Sequence, residues 1–438
     1  MFPPEFLNLL DFLSPVLLPM WQIIKHWWWL PLPFILWWPF SSLWLWWRVG
    51  KWIEKKKSIF LEIKIPKEVL KPVRAMEIVM SALRQTIYAP PDWWEKWIDG
   101  QIQQSYSFEI ISIGGRVHFL IKIPEDIRDS VESIIYSQYP DAEISLFNDY
   151  TKDVPQDIPN KDWDLWATDY ILLKPDAYPI RTFMEFETER EAKEEKRVDP
   201  LAGLLEAMDK IKSGEQLWIQ IIAQPVTDKE IPWITEAKKL RDELAKRTKK
   251  PVKRKALLFE AADVLISGKL PDESKKEEGA IMPEMQLTSG ERDIIKGIEN
   301  KIAKPGFKTT IRFVFLGKKD VFNKANLRLP FGYFASYSTE NLNYLVPWGK
   351  TIVKIHKSWF LPINLLLSKR LYLRKRKLFR NYVMRVTPLF PLSGGTFVLN
   401  TEELASLFHF PGRSSASAPS VGRIESKKGE PPITLPTE

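Results

Sequence analysis

Residues 106–124 read YSFEIISIGGRVHFLIKIP, two strands and the turn between them. Tyr106 to Ile113 forms the first strand. Val117, Phe119, Ile121 and Ile123 alternate in the returning one. Gly114-Gly115 makes the hairpin turn, because both positions accept the positive φ that a tight connection needs. Pro124 stops the second strand. Upstream, Ile59, Leu61, Ile63 and Ile65 alternate as another strand. Val73, Met76, Met80, Leu83 and Ile87 then recur at three- and four-residue steps, the face of an amphipathic helix. Downstream, Ile127, Val131, Ile134, Ile135 and Tyr139 mark a second helix, and Ala142, Ile144 and Leu146 a last strand. The order over residues 58–150 is βαββαβ, the split βαβ arrangement of ferredoxin-like domains. That fold hosts many functions and specifies none.

Past a linker at 151–163, residues 164–411 predict a second βαββαβ unit. Strand character is read at Tyr170–Leu173, Ile180–Phe186, Glu215–Val226 (EQLWIQIIAQPV) and Lys308–Leu316 (KTTIRFVFL), with Thr396–Leu399 as the candidate closing strand, one stretch more than the four the unit needs. Leu201, Leu204, Leu205, Met208 and Ile211 form a helix face, and the charged stretch Glu187–Arg197 reads as a solvated loop. Phe322–Tyr337 has helical character that Pro330 and Gly332 interrupt. Helical insertions are expected at about 229–303 and 338–393. Residues 412–438 lack apolar periodicity and read as a disordered tail.

Nineteen tryptophans are present, and ten of them lie between Trp21 and Trp52. Indole favours the membrane–water boundary. Trp27 to Trp47 is a run of 21 residues without a formal charge, about 32 Å as a helix, against a hydrocarbon core of about 30 Å. Pro31, Pro33 and Pro39 interrupt it. Upstream, Phe6–Met20 reads as an interfacial helix or half of a hairpin. The expectation is therefore a membrane anchor over residues 1–57, spanning at about 27–47. Trp27, Trp28, Trp29, Trp44, Trp46 and Trp47 serve as its interface residues. Arg48, Lys51, Lys55, Lys56 and Lys57 follow the run, which places the remainder on the cytoplasmic side of the inner (plasma) membrane. The fold class expected is thus α+β: an N-terminal transmembrane segment, then two tandem ferredoxin-like units, the second with helical insertions.

Little points to catalysis. There is no cysteine, which excludes thiolate chemistry and disulfides, and only four scattered histidines. Gly349-Lys350-Thr351 resembles the end of a phosphate loop, but position 344 is Tyr where that loop needs Gly. Glu185, Glu187 and Glu189 alternate in FMEFETER and read as a solvated strand edge in preference to a metal site. No catalytic residue, cofactor or metal is expected, and the chain reads as non-enzymatic.

Lys plus Arg is 64 against 55 Asp plus Glu, a net charge of +9. From Asn341 to Thr401 there is no acidic residue and eleven Lys or Arg. Eight of these, Lys369, Arg370, Arg374, Lys375, Arg376, Lys377, Arg380 and Arg385, fall within seventeen residues, interleaved with Leu371, Tyr372, Leu373, Leu378, Phe379 and Tyr382. Three readings stand open: a solvated or acid-paired structural helix, a patch against anionic lipid headgroups, and nucleic-acid contact with phosphates on the cations and bases on the rings.

Several stretches also carry a resemblance. FLEIKIPKEVLKPVRAMEIVMSAL, YSFEIISIGGRVHFLIKIP and VESIIYSQYPDAEISLFNDY resemble the N-terminal part of membrane-anchored conjugation or type IV secretion-like ATPases of the HerA/FtsK class, as found in candidate-phyla bacteria. GEQLWIQIIAQP, FVLNTEELASLFHFPG and ESKKGEPPITLP resemble the same family. In long members a motor domain follows this region, which is itself of unknown function. The resemblance implies a membrane-anchored, non-catalytic scaffold or adaptor of a DNA- or protein-transfer machine. Its expected partners are the lipid bilayer and a separately encoded HerA/FtsK-type ATPase, with nucleic acid and further copies of the chain also open. The alternative is a membrane-tethered nucleic-acid-binding module that uses residues 369–385.

Overall fold

The computed structural model describes residues 25–26, 29–30, 32–66, 71–186, 199–245, 287–323, 328–354, 366–385, 387 and 395–411. The strands, in chain order, are β1 (Ser58–Lys64), β2 (Tyr106–Ile113), β3 (Arg116–Pro124), β4 (Glu143–Phe147), β5 (Trp163–Leu172), β6 (Glu215–Val226), β7 (Gly306–Lys318), β8 (Leu345–Pro347) and β9 (Phe397–Asn400). The helices are α1 (Leu32–Lys55), α2 (Val73–Ile87), α3 (Arg128–Gln138), α4 (Pro200–Asp209), α5 (Trp233–Leu244), α6 (Ser289–Ile302), α7 (Leu329–Ser336), α8 (Leu367–Met384) and α9 (Thr401–Leu407). Gly114 and Gly115 take φ of 56° and 90° in the β2–β3 turn. A Cβ on Gly115 would meet the Asp209 carbonyl oxygen at 2.8 Å, so glycine is required there twice over.

One nine-stranded sheet runs through residues 58–411, in the order β4-β1-β3-β2-β6-β7-β5-β8, with β9 also on β7. Every pairing is antiparallel. The order repeats: β4-β1-β3-β2 on one side and β8-β5-β7-β6 on the other. The two sets join where β2 pairs β6 over eight residues, from Tyr106 opposite Ala223 to Ile113 opposite Gln216.

Alternation assigns each strand residue to a face. Leu61, Phe108, Ile110, Phe119, Ile121, Ile219, Ile221, Ile311 and Phe313 point to the larger core, which α2, α3, α4, α7 and α9 cover. Phe60, Ile111, Leu120, Leu165, Trp218, Val314 and Leu316 point to the other face, beneath α8 and the packed segment containing Tyr150, Val154 and Ile158. Away from the sheet faces, α5 and α6 pack on each other through Ala237 and Ile298.

These observations correct several expectations. The two tandem units share one sheet: β2 and β6 pair with each other and are buried on both faces, and strands so rich in Ile, Leu, Phe and Trp do not tolerate being exposed edges. Ile180–Phe186 is not a strand: Phe183–Phe186 is a single helical turn. Pro330 does not break α7, since it lies in the first turn, where its missing N–H costs nothing. The position beside β5 belongs to β8, while Phe397–Asn400 pairs with the opening residues of β7.

The structure divides into two units, and the smaller contains α1 with the segment Pro90–Gln103. Within it the Trp44 indole donates to the Trp97 carbonyl at 2.9 Å. Gly100, at φ 72°, closes a π-helical turn, and a Cβ there would sit 2.3 Å from the Arg48 carbonyl carbon. Lys51 Nζ lies 4.0 Å from the Trp47 ring centroid, a cation–π contact.

The expected transmembrane segment is overturned in this unit. α1 begins at Leu32, and its uncharged part, Leu32–Trp47, is only about 24 Å long. Five of those sixteen residues are tryptophan, whose indole N–H keeps the segment from being fully apolar. Among the described residues no helix is long and apolar enough to cross a membrane. Trp29, Trp44, Trp46 and Trp47 are exposed. Trp27, Trp28, Phe6–Met20, the Glu187–Arg197 loop and the tail at 412–438 lie outside the described residues.

One buried group gives the fold a pH signature. His409 Nε2 lies 3.1 Å from Asp199 Oδ1, and Nδ1 lies 3.2 Å and 3.1 Å from the Ala405 and Ser406 carbonyls. Both ring nitrogens face acceptors, an arrangement that favours the protonated ring. Burial alone would lower its pKa, but Asp199 and the two carbonyls outweigh burial and raise it above the ordinary histidine value. Stability from this pair is therefore full at pH below the unfolded histidine value and is lost as pH rises through the higher folded value. Urea denaturation across the neutral range is expected to show stability falling as pH rises. His409→Gln should remove most of that dependence.

Candidate polyanion-binding face

On the face beneath α8, four neighbouring strands each carry a large buried polar residue, and the sheet register lines them up. Glu109 of β2 lies opposite Gln220 of β6, Gln220 opposite Arg312 of β7, and Arg312 opposite Asp169 of β5. All four are buried. Gln220 Nε2 donates to Glu109 Oε1 at 2.9 Å, and Arg312 Nη1 donates to Gln220 Oε1 at 3.2 Å. Arg312 Nε is 3.6 Å from Asp169 Oδ1. Burial raises the Asp169 pKa above the usual carboxylate range, with the Arg312 charge opposing the rise.

This row holds the last turn of α8. The Asn381 carbonyl accepts from Arg312 Nη1 at 2.9 Å, and the Tyr382 carbonyl accepts from Gln220 Nε2 at 3.2 Å. Terminal helix carbonyls have no partner within the helix, and a cation is favoured at that end. Arg385 then ends the helix in the left-handed conformation, φ 51°, as the one non-glycine residue of positive φ among those described. Its Nε donates to Glu109 Oε1 at 2.8 Å, and Nη2 and Nη1 donate to Asp149 at 2.9 Å and 3.2 Å. The guanidinium also lies 4.5 Å from the Phe60 ring centroid.

Glu109 is further satisfied by Ser107 Oγ at 2.7 Å and Tyr150 Oη at 2.7 Å. Because Tyr150 donates to Glu109, the 2.7 Å contact between Tyr150 and Tyr382 has Tyr382 as donor. Burial alone would raise the Asp149 pKa, but the Arg385 charge and hydrogen bonds from Thr151 hold it below the ordinary value. For Arg385, burial is outweighed by Glu109 and its neighbours, which keep the group firmly charged.

The eight cations singled out in the sequence thus divide. Arg385 is buried in the network. Lys375 Nζ is 2.5 Å from Asp164 Oδ1. Arg374 Nη1 donates to the Ile352 and Lys354 carbonyls at 3.0 Å and 3.1 Å. These three fasten α8, as do buried Leu378, Phe379 and Tyr382. The remaining five, Lys369, Arg370, Arg376, Lys377 and Arg380, are exposed on the opposite side. At 100° per residue they flank a central line through Leu366, Leu373 and Met384. Tyr372 is also exposed, beside Arg376. Among the described residues no carboxylate lies within ion-pair distance of Lys369, Arg370, Arg376, Lys377 or Arg380.

The sequence reading missed Glu109, Gln220, Arg312 and Asp169. Part of their signal was present, a large polar side chain set among apolar residues of a strand, but their alignment depends on strand pairings that the sequence does not show. Of the alternating glutamates, Glu185 pairs with Arg181 Nε at 3.3 Å, while Glu187 and Glu189 lie outside the described residues. Among the described residues no group of three or more His, Cys, Asp or Glu is placed to hold a metal ion.

Glu109→Ala would leave the Arg385 guanidinium buried with one partner gone. It is expected to lower the unfolding free energy by about 3–5 kcal/mol, measured by urea denaturation. A loss below about 1 kcal/mol, the size of an ordinary hydrogen bond, would mean that the network does not hold α8.

No curated protein matches the chain. Residues 61–420, more than four fifths of it, match a family described as a domain of unknown function, DUF8128. That range contains the whole sheet from Leu61 onward, the buried polar row and α8. The chain therefore belongs to the DUF8128 family.

Proposed function

We propose that this protein is a non-catalytic scaffold or adaptor of a conjugation or type IV secretion-like transfer machine, and that the exposed face of α8 holds the nucleic acid being handled. The observation that carries the reading is the division of labour along α8. Three cations are consumed in fastening the helix, and five face outward without a carboxylate partner among the described residues. Cations that merely balanced internal acids would be paired. Rows of Lys and Arg on a fixed helix suit the regular charge of a phosphate backbone.

The scaffold half of the reading rests on the resemblance of the β1–α2, β2–β3 and α3–β4 stretches to the N-terminal part of HerA/FtsK-class ATPases of candidate-phyla bacteria. A separately encoded ATPase of that class is the partner it calls for. Co-purification of such an ATPase with the tagged chain from its native source tests this half.

For the nucleic-acid half, fluorescence anisotropy with a labelled oligonucleotide at several salt concentrations is the direct measurement. Five phosphate contacts predict a slope of log affinity against log salt of roughly −3.5 on a single strand. Combining Lys369→Glu, Arg370→Glu, Lys377→Glu and Arg380→Glu should weaken binding at least about tenfold and flatten the slope. The unfolding midpoint should hold, because these side chains are exposed. Unchanged binding rejects the reading. So does an oligonucleotide displaced from the wild-type chain as readily by anionic vesicles as by unlabelled competitor.

A further inference from the structure

Beside the exposed face of α8 lies an open groove of about 570 Å³, within the roughly 300–1,000 Å³ typical of small-ligand sites. Tyr372 and Arg376 form its helical wall, one turn apart, with Arg376 Nη1 donating to Tyr372 Oη at 2.9 Å. Lys161, from the loop before β5, and Lys319, just after β7, supply cations from the sheet side. Lys319 Nζ donates to the Asn160 carbonyl at 2.7 Å, which ties the β7 end to that loop. Two carboxylates also line the groove, and both have partners. Asp164 is paired with Lys375, and Asp157 accepts from Asn160 Nδ2 at 3.0 Å.

An aromatic ring fixed at the rim of a cationic groove is the arrangement that receives an unpaired base. The hydrogen bond from Arg376 restrains the Tyr372 ring through its hydroxyl, and Arg376 also brings a charge to the same wall. The groove is too small for a duplex, whose bases are in any case stacked on each other. The exposed cations Lys369, Arg370, Lys377 and Arg380 continue the positive path along the helix from this point.

We infer that the groove binds one nucleotide of a single strand, with its base stacked on Tyr372 and its phosphates on Lys161, Lys319 and Arg376, so that the protein selects single-stranded over duplex nucleic acid. This inference rests on the nucleic-acid reading of α8 and adds a strand preference to it.

The test compares the full-length protein on a labelled oligothymidylate and on a duplex of the same length, by anisotropy at one salt concentration. The wild type should bind the single strand more tightly. Tyr372→Ala should weaken single-strand binding by about tenfold, the scale of a lost base–aromatic stack, and leave duplex binding within twofold. Tyr372→Phe, which keeps the ring and loses the hydroxyl, should retain the preference. A 5-iodouracil-substituted strand, irradiated with the wild-type protein, should cross-link to the peptide containing Tyr372, a readout that does not depend on any variant folding. Equal affinity for both nucleic acids, equal losses on both in Tyr372→Ala, or a cross-link elsewhere overturns the groove while leaving charge-dependent binding by α8 intact. Absence of binding to either nucleic acid defeats both readings.

Discussion

A charged residue in the middle of an apolar strand must find its complement or lose several kcal/mol. Glu109, Arg312 and Asp169 are such residues, and their complements come from two directions. Along the sheet, each lies opposite another polar group, so a slip of one strand by a single residue would separate these partners and move that strand's polar side chain to the other face. From above, the last turn of α8 presents two carbonyls and Arg385 to the same row. Sheet register and helix position are therefore one constraint. Apolar packing of Leu378, Phe379 and Tyr382 alone would tolerate a helix displaced along its axis. The hydrogen bonds to the Asn381 and Tyr382 carbonyls do not.

This has a bearing on how a basic helix survives on a protein surface. α8 carries seven Lys or Arg within its own span and no acidic residue, so its charges repel one another. A helix of that composition is poorly stable by itself. Anchoring is concentrated on one side, by Asp164 near the middle and the buried network at the end, while the cations on the other side stay solvated. The structure holds together a distribution of charge that local interactions would disperse, and it is this imposed clustering that gives the face its chemistry.

Much of the larger core was readable from periodicity alone. The alternation in β1, β2 and β3 and the three- and four-residue spacing in α2 and α3 place Leu61, Met76, Leu83, Phe119 and Val131 inside, because burial on one face is a local property of each segment. What joins strands across long separations was not readable that way. Nothing in Ser107–Ile113 says that its second edge meets residues 216–222, more than a hundred positions away. The basic cluster was legible as charge, but its division into fastening and exposed members was not. Whether Lys375 or Lys377 meets an acid depends on where β5 puts Asp164. The tryptophan run misled for a related reason: counting uncharged residues overstated a helix that starts five residues later than the run does.

The lengths of the strands carry a last implication. β6 and β7, with 12 and 13 residues, sit in the interior of the sheet, whereas among the described residues the rims are β4 with five residues and β8 with three. Rims so short present few unpaired backbone groups to a neighbouring chain. Growth of an assembly by adding strands at these two rims is thus disfavoured. A partner that meets the sheet at these rims finds side chains there more than free backbone.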